Sequence, residues 1–329
     1  MKLIIKKIDD DGRLSLVPGL LDTTWQIEVV DSSETAAFAR ALEDADALVS
    51  MNWRGDEPRA PKLRLLQLPG AGTDDIDFDR VPPTASVCNC HGHEVGIAEY
   101  VFAAMLEWAV KLRAMDASLR ANDWTGSYLC GPRHAELHGR TLGLVGYGRI
   151  AREVARRAEA FGMQVLACSR RARQDEPCVG RVEGMDRLPQ MLARSDYVVI
   201  TAPLDADTRG LIDAGAFECM KRDAFLVNVA RGRIVDETAL YDALRTGRIG
   251  GAAIDVWYRY PEQGKRHAAP SALPFAQLDN VIMTPHASAW TDGLLPRRNR
   301  TIAANLNRLA RGEPLLNVVH AGASPRTTP

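Results

Sequence analysis

The 329-residue chain carries 41 Lys+Arg against 42 Asp+Glu, with 46% apolar and 25% charged residues, an ordinary globular balance with length for two domains. Near-zero net charge gives no global field for nucleic acid or a membrane surface, and no apolar run approaches the length of a membrane span. The opening MKLIIKKIDDDGRL has an apolar core of three residues, too short for a secretory segment, so a cytoplasmic protein is expected.

Residues 1–92 alternate short apolar runs with helical stretches. LIIKKI, WQIEVVD, DALVSM, LRLLQL and ASVCNC read as strands, and ETAAFARALEDA as a helix; that rhythm predicts a small parallel sheet. The turn after the fourth strand, Pro69-Gly70-Ala71-Gly72-Thr73-Asp74-Asp75, offers small residues whose backbone N–H groups suit an anion. It reads equally as an ordinary strand-to-helix loop with capping aspartates. Cys88-Asn89-Cys90 beside His91 and His93 lacks the spacing of a zinc set, so no metal is expected. The six cysteines read as reduced thiols packed as small hydrophobes.

Glu94 to Arg113, EVGIAEYVFAAMLEWAVKLR, is helical and apolar on most sides, so it belongs in a core or a subunit contact. A loop containing Trp124 and GSYLCGPR follows. Then Thr141–Ala151, TLGLVGYGRIA, joins a short apolar strand to Gly146-Tyr147-Gly148-Arg149-Ile150-Ala151 and a helix with Ile150, Val154, Ala155, Ala158 and Phe161 on one face. This is G-x-G-x-x-G/A in strand–turn–helix context, the setting that makes it a dinucleotide fingerprint. Gly146 allows the tight turn, Gly148 lets backbone approach a pyrophosphate, and Ala151 permits close helix–strand packing. The helix N-terminus then holds the phosphates.

The next strand is QVLACSRR. An acidic residue at its end would bind the adenosine ribose; that position is Ser169, followed by Arg170, Arg171 and Arg173. A hydroxyl with guanidinium groups suits a 2′-phosphate, so NADP(H) is favoured and NAD(H) remains the alternative. Further βα units end YVVITAPL, AFLVNVARG, GAAIDVW and VIMTPHAS, each with a loop at the edge where ligands bind in open parallel sheets. A last helix, RRNRTIAANLNRLARG, precedes EPLLNVV and a tail, AGASPRTTP, that reads as disordered. Three of the strand-end loops bring Arg231, Asp255 and His286 to one edge, a cation, a carboxylate and an imidazole that could form a reaction site.

Taken in order, LPGAGTDDID, GIAEY, GLVGYGRIA, TAPLDADTRGLI, NVARGRIVDETAL, AIDV and TPHAS make the chain resemble the D-isomer-specific 2-hydroxyacid dehydrogenase family over nearly its whole length. The resemblance implies an α/β protein with two Rossmann/flavodoxin-like doubly wound parallel-sheet domains and a cleft between them. A substrate domain would comprise 1–95 plus 293–329, a dinucleotide-binding domain 96–292, and the assembly would be a homodimer. It implies hydride transfer between a nicotinamide and a small 2-keto or 2-hydroxy acid. Arg231 would anchor the carboxylate and polarise the carbonyl, and His286 would move the hydroxyl proton. Asp255 would sit at the nicotinamide carboxamide, and the N–H groups of Ala71 and Gly72 would take the other carboxylate contact. Ala202, Pro203, Val229, Ala230 and Ser288, on the same strand-end loops, are expected cofactor contacts alongside Gly146 to Ile150, Ser169 and Arg170.

One position departs from the family pattern. Most members carry a glutamate five residues after the matching aspartate, paired with the histidine; here it is Tyr260, which at neutral pH can only exchange hydrogen bonds. His286 then loses its ion-pair partner unless another acid, such as Glu99, fills in. The formate dehydrogenase branch also lacks that glutamate, and DVWYRYP is similar to it. Against formate stand His93, where that branch has asparagine, and the absent N-terminal extension. Trp257, Tyr258 and Tyr260, with Trp53 and Trp290, are expected either to wall an acid pocket, with His93 and Trp53 touching substrate, or to pack between domains. A second class of function, a nucleotide-sensing binding protein without turnover, is permitted by Tyr260 and opposed by Arg231 and His286.

Overall fold

The computed structural model describes residues 1–7, 12–262 and 265–322. The chain divides into two compact units, residues 1–92 with 291–329 and residues 93–290. The first begins with strands β1 (Lys2–Lys6), β2 (Gln26–Val30), β3 (Ala47–Val49), β4 (Leu65–Gln67) and β5 (Ser86–Cys88), with helix α1 (Thr35–Leu42) between β2 and β3. The second holds α2 (Glu94–Val110), α3 (Leu112–Arg120), β6 (Thr141–Val145), α4 (Arg149–Ala160), β7 (Gln164–Cys168), β8 (Arg173–Glu176) and β9 (Gly180–Glu183). It continues through α5 (Leu188–Arg194), β10 (Tyr197–Ile200), α6 (Ala214–Cys219), β11 (Phe225–Asn228), α7 (Glu237–Arg245), β12 (Gly251–Ile254) and β13 (Val281–Met283). The chain then returns to the first unit with α8 (Leu294–Arg311) and β14 (Val318–His320).

In the first unit the sheet order is β14-β5-β4-β3-β1-β2. All its pairings are parallel except β14 on β5. Alternate residues of each strand feed opposite faces. Ile4, Leu48, Leu66 and Val87 pack with Phe38, Ala41 and Leu42 of α1. Leu3, Ile5, Ala47, Val49 and Leu65 pack with Ile302, Leu306 and Leu309 of α8. Strands covered on both faces read as unbroken apolar runs, which is why these were visible in the sequence. The antiparallel β14 was not, because EPLLNVV ends in a strand of three residues, Val318–His320, at the sheet edge.

The second unit has the order β13-β12-β11-β10-β6-β7-β9-β8. One face of its sheet packs α2 and α4 through Leu142, Leu144, Val199, Phe225 and Val227. The other face packs α5, α6 and α7 through Val145, Val198, Ile200, Leu226 and Ile254. Both units are therefore doubly wound α/β sheets. The near-uniformly apolar α2 lies in this core, contributing Ile97, Ala98, Val101, Phe102 and Met105. Its helix was expected to run to Arg113. Instead Lys111 turns left-handed, φ 60° and ψ 39°, and places its Nζ 3.4 Å over the Trp108 ring. The hairpin β8–β9 escaped notice because RQDE and GRVE carry no apolar alternation. The tail beyond residue 322 lies outside the described residues.

Candidate active site

Chain direction reverses beside β6, which has β7 on one side and β10 on the other. Such a switch point opens a crevice at the carboxyl ends of the strands. The register defines that edge: Cys168, Val145, Ile200, Asn228, Ile254 and Met283 stand side by side across β7, β6, β10, β11, β12 and β13. Each named loop departs from this single row.

After Val145, Gly146 has φ 89°, and a Cβ there would lie 2.7 Å from the Ala202 nitrogen and Cα. Only glycine allows both the left-handed turn and the approach of the β10 loop. Gly148 caps the N-terminus of α4 without a side-chain bond, and no atom lies within 4 Å of its would-be Cβ. The first amide in that helix to find a backbone acceptor is that of Arg152, onto the Gly148 carbonyl. A twelve-residue helix thus starts with amides that find no backbone acceptor among the described residues, which fits a pyrophosphate. The Tyr147 side chain does not share in this. It is buried and donates its hydroxyl to the Pro177 carbonyl at 3.0 Å, so its ring supports β8–β9, leaving only its backbone at the turn. Arg149 is exposed and Ile150 half-buried on the first turn of α4.

At the end of β7 the Ser169 hydroxyl, nearly buried, donates to the Arg171 carbonyl at 2.7 Å. The arginines after it have separate engagements. Arg170 pairs with Asp205 at 3.0 Å. Arg173 donates to the Tyr147 carbonyl at 2.9 Å and lies 3.3 Å from Glu176. Arg171 is exposed and forms no ion pair among the described residues. Ala202 is buried, and Pro203 accepts from the Thr208 hydroxyl at 2.7 Å.

The loop after β11 is built by Asn228, whose side chain donates to the Arg231 carbonyl at 3.1 Å and accepts from the Ala230 amide at 3.1 Å. Val229 and Ala230 are buried beneath it. A Cβ at Gly232 would stand 2.5 Å from the Trp257 carbonyl oxygen, so this glycine lets the Arg231 loop lie directly against the β12 loop. Arg231 bonds its own loop through the Ala230 carbonyl at 2.8 Å.

Asp255, fully buried, follows β12. Its Oδ1 accepts from the Thr284 hydroxyl at 2.6 Å and the Ala287 amide at 2.9 Å, and its Oδ2 accepts from the Ser288 amide at 3.0 Å. With its proton committed to Asp255, Thr284 accepts at 2.7 Å from Tyr100 of α2. The carboxylate therefore clamps both sides of His286, whose backbone is left-handed at φ 56°; strain of this kind persists where surroundings over-determine it. Trp257 closes the same loop, its indole N–H donating to the Thr284 carbonyl at 2.8 Å.

Tyr260 folds back so that its oxygen accepts the Trp257 amide at 3.0 Å, and its ring centroid lies 5.7 Å from that of His286. The phenol keeps its own proton available. Desolvation raises its pKa, Asp255 raising it further and Arg231 opposing. His286 sits among dense protein with part of its surface open, and its pKa is held below the ordinary imidazole value, first by desolvation and then by Arg231, with Asp255 opposing. Arg231, Asp255, Tyr260 and His286 thus form one electrostatic cluster. Glu99 is engaged instead with Arg157 at 3.7 Å, and it is not among the charges that act on His286.

Of the other expected substrate contacts, Trp53, Ala71 and Gly72 belong to the first unit and His93 opens α2. Trp53 is buried in the first unit's core and donates its indole N–H to the Arg80 carbonyl at 3.0 Å, so it packs as a structural residue there. Ala71 and Gly72 lie on the loop after β4, their amides donating to no backbone acceptor among the described residues, while Asn89 holds the Ala71 carbonyl at 2.9 Å. His93 caps α2, with Nδ1 3.8 Å from Glu94. Trp257 is buried, while Tyr258 bonds the Val235 carbonyl at 3.1 Å. The supporting residues Tyr100, Asn228 and Thr284 went unnoticed in the sequence. Their signal is a polar side chain at the end of an apolar strand or on an otherwise apolar helix, too common to single out alone. No cluster of three or more metal-ligating side chains occurs among the described residues, and no described helix is long and apolar enough to cross a membrane.

A glycine turn feeding a helix, followed by three converging strand-end loops, defines a nicotinamide-dinucleotide oxidoreductase fold. The model for the D-isomer specific 2-hydroxyacid dehydrogenase NAD-binding domain matches residues 102–288. The chain belongs to that family. It is 31% identical over 313 residues to the D-3-phosphoglycerate dehydrogenase of Methanocaldococcus jannaschii, covering 93% of this chain and 58% of that protein. It is 32% identical over 328 residues to the glyoxylate reductase of Korarchaeum cryptofilum, covering 96% and 92%. The chain thus spans little more than half of the phosphoglycerate dehydrogenase and nearly all of the glyoxylate reductase. Among solved structures, a D-isomer specific 2-hydroxyacid dehydrogenase family protein from Aeromonas salmonicida superposes with TM-score 0.81 at 27% identity, covering 97% of this chain and 98% of that one.

Proposed function

We propose that this protein reduces a small 2-keto acid, of the glyoxylate or hydroxypyruvate kind, with NADPH in preference to NADH. The observation that carries the reading is the placement of Arg231, Asp255 and His286 on loops from three adjacent, in-register parallel strands, beside a glycine turn suited to a dinucleotide. In this reading the amides of Gly148 to Ala151 and the α4 N-terminus hold the pyrophosphate. Ser169, Arg170 and the exposed Arg171 surround the 2′-position, and Ala202, Pro203, Val229, Ala230 and Ser288 line the remaining edge. When bound, the nicotinamide supplies the hydride.

The protein's own groups do the rest. Arg231 fixes the substrate carboxylate and draws charge onto the carbonyl oxygen. His286, as imidazolium, gives that oxygen its proton, a contribution of about 10²–10⁴-fold for a positioned acid. Asp255 keeps the His286 loop in place, and Tyr260 can donate its phenolic proton toward the same oxygen. Ala71, Gly72 and His93 are assigned as further substrate contacts on the family resemblance. On the same ground, residues 96–292 bind the dinucleotide and 1–95 with 293–329 the substrate.

Two properties complete the reading. A homodimer accounts for α3 and its following loop, where Trp124, Tyr128 and Leu129 are 68%, 96% and 77% exposed and Trp124 lines an apolar cavity of about 730 Å³. Exposed Cys130 as a free thiol suits a reducing compartment, the cytoplasm.

The test follows NADPH absorbance with a panel of keto acids, and with formate plus oxidised cofactor in parallel. Turnover on a keto acid, cut about 10²–10³-fold by Arg231→Ala, is the expected result. Tight cofactor binding with no turnover on any acid would make it a sensor, and turnover on formate alone would move it to the formate branch.

A further inference from the structure

The row of strand ends places Arg170 and Asp205 on opposite sides of β6: Arg170 two residues beyond Cys168 of β7, Asp205 five beyond Ile200 of β10. Their 3.0 Å ion pair spans the strand whose end carries the Gly146–Gly148 turn. The two partners are unequally held. Asp205 Oδ1 accepts from the amides of Asp207 and Thr208, both at 3.0 Å, and the Thr208 hydroxyl, which gives its proton to the Pro203 carbonyl, accepts the Asp205 amide at 2.8 Å. Only Oδ2 is turned to Arg170. The arginine is 62% exposed against 31% for the aspartate, so the guanidinium is the mobile partner and the carboxylate the fixed one.

We propose that Asp205 is a positioning residue for cofactor choice: it holds Arg170 across the adenosine end and competes with a 2′-phosphate for that guanidinium. The inference rests on the proposed dinucleotide site. A 2′-phosphate must draw Arg170 away from a fixed carboxylate and sit near that negative charge, whereas a 2′-hydroxyl leaves the pair intact. Asp205 thereby tempers the preference for NADPH that Ser169 and the arginine run create. Because the pair is exposed, its influence is modest and sensitive to salt.

The experiment measures Kd for NADPH and NADH by fluorescence titration on the full chain, for wild type, Asp205→Asn, Arg170→Ala and the double variant. Asp205→Asn should raise the NADPH-over-NADH affinity ratio about two- to fivefold, less at high salt, the range expected when an exposed charge pair is released. In the Arg170→Ala background the same change should lose most of its effect on the ratio. A ratio unmoved by Asp205→Asn, or moved equally with and without Arg170, overturns the proposal. Failure of wild type to bind either cofactor is a different outcome, which overturns the dinucleotide site itself. Both side chains lie on the surface, so folding of each variant is expected and is checked by circular dichroism.

Discussion

Restoring a carboxylate beside His286 tests the acid–base assignment directly, and Tyr260→Glu is the change that does it. Reduction needs the imidazolium, whose population falls as pH rises through its pKa. In the native protein that pKa lies below the ordinary imidazole value because desolvation and Arg231 outweigh Asp255, so keto-acid reduction is lost at correspondingly low pH. A glutamate near the Tyr260 ring position would act over about the 5.7 Å that now separates the two rings. With an effective dielectric constant of about 40–80 for a half-exposed site, one charge at that range is worth about 0.7–1.5 kcal/mol, about half to one pKa unit. Arg231 nearby would keep the new carboxylate ionised. The assay is kcat/KM for keto-acid reduction against pH. The basic limb should move up by that half to one unit, and the acidic limb of 2-hydroxy acid oxidation, which needs neutral imidazole, should move the same way. Limbs that stay in place, or shift to lower pH in a folded variant, would show that His286 is not the titrating group.

Two other outcomes follow from single features. Asp255→Asn leaves one side of the carboxylate as an NH₂ facing an amide donor, so the 284–288 loop loses its clamp. Stability measured by denaturant titration at neutral pH should drop by about 2–4 kcal/mol, and a drop of under about 0.5 kcal/mol would deny Asp255 its structural role. Charging the exposed arm with Trp124→Asp and Tyr128→Asp should convert a wild-type dimer into a species near the 36.1 kDa chain mass in sedimentation equilibrium. A wild type already at that mass refutes the dimer.

What could be read in the sequence, and what could not, divides along one physical line. Parallel strands buried on both faces are apolar throughout, so TLGLV, YVVI and AFLVN announce themselves, and the glycine turn follows because its geometry excludes a Cβ. The same logic made Arg231, Asp255 and His286 visible as polar residues just past apolar runs. Electrostatic partners are different, because they are set by which loops the register brings side by side. Glu99 looked a fair substitute acid in sequence, yet it is taken by Arg157 across α2 and α4. Trp53 left a pocket wall and packing between domains equally open in sequence, and it packs in the first unit's core. Arg170 looked free to grip a phosphate, but β7 and β10 flank one strand and so deliver Asp205 to it. The reaction centre shows the same dependence: nothing in TPHAS alone says that its histidine hangs between hydrogen bonds from Thr284 on one side and Ala287 and Ser288 on the other to a carboxylate about thirty residues earlier. That carboxylate fixes His286 through the backbone while Tyr260 replaces the charge its ring would otherwise meet. Asp255 therefore acts on His286 twice, through the backbone and through its charge, so Asp255→Asn should loosen the loop and also lower the imidazole pKa, whereas a change at Tyr260 should act on the pKa alone.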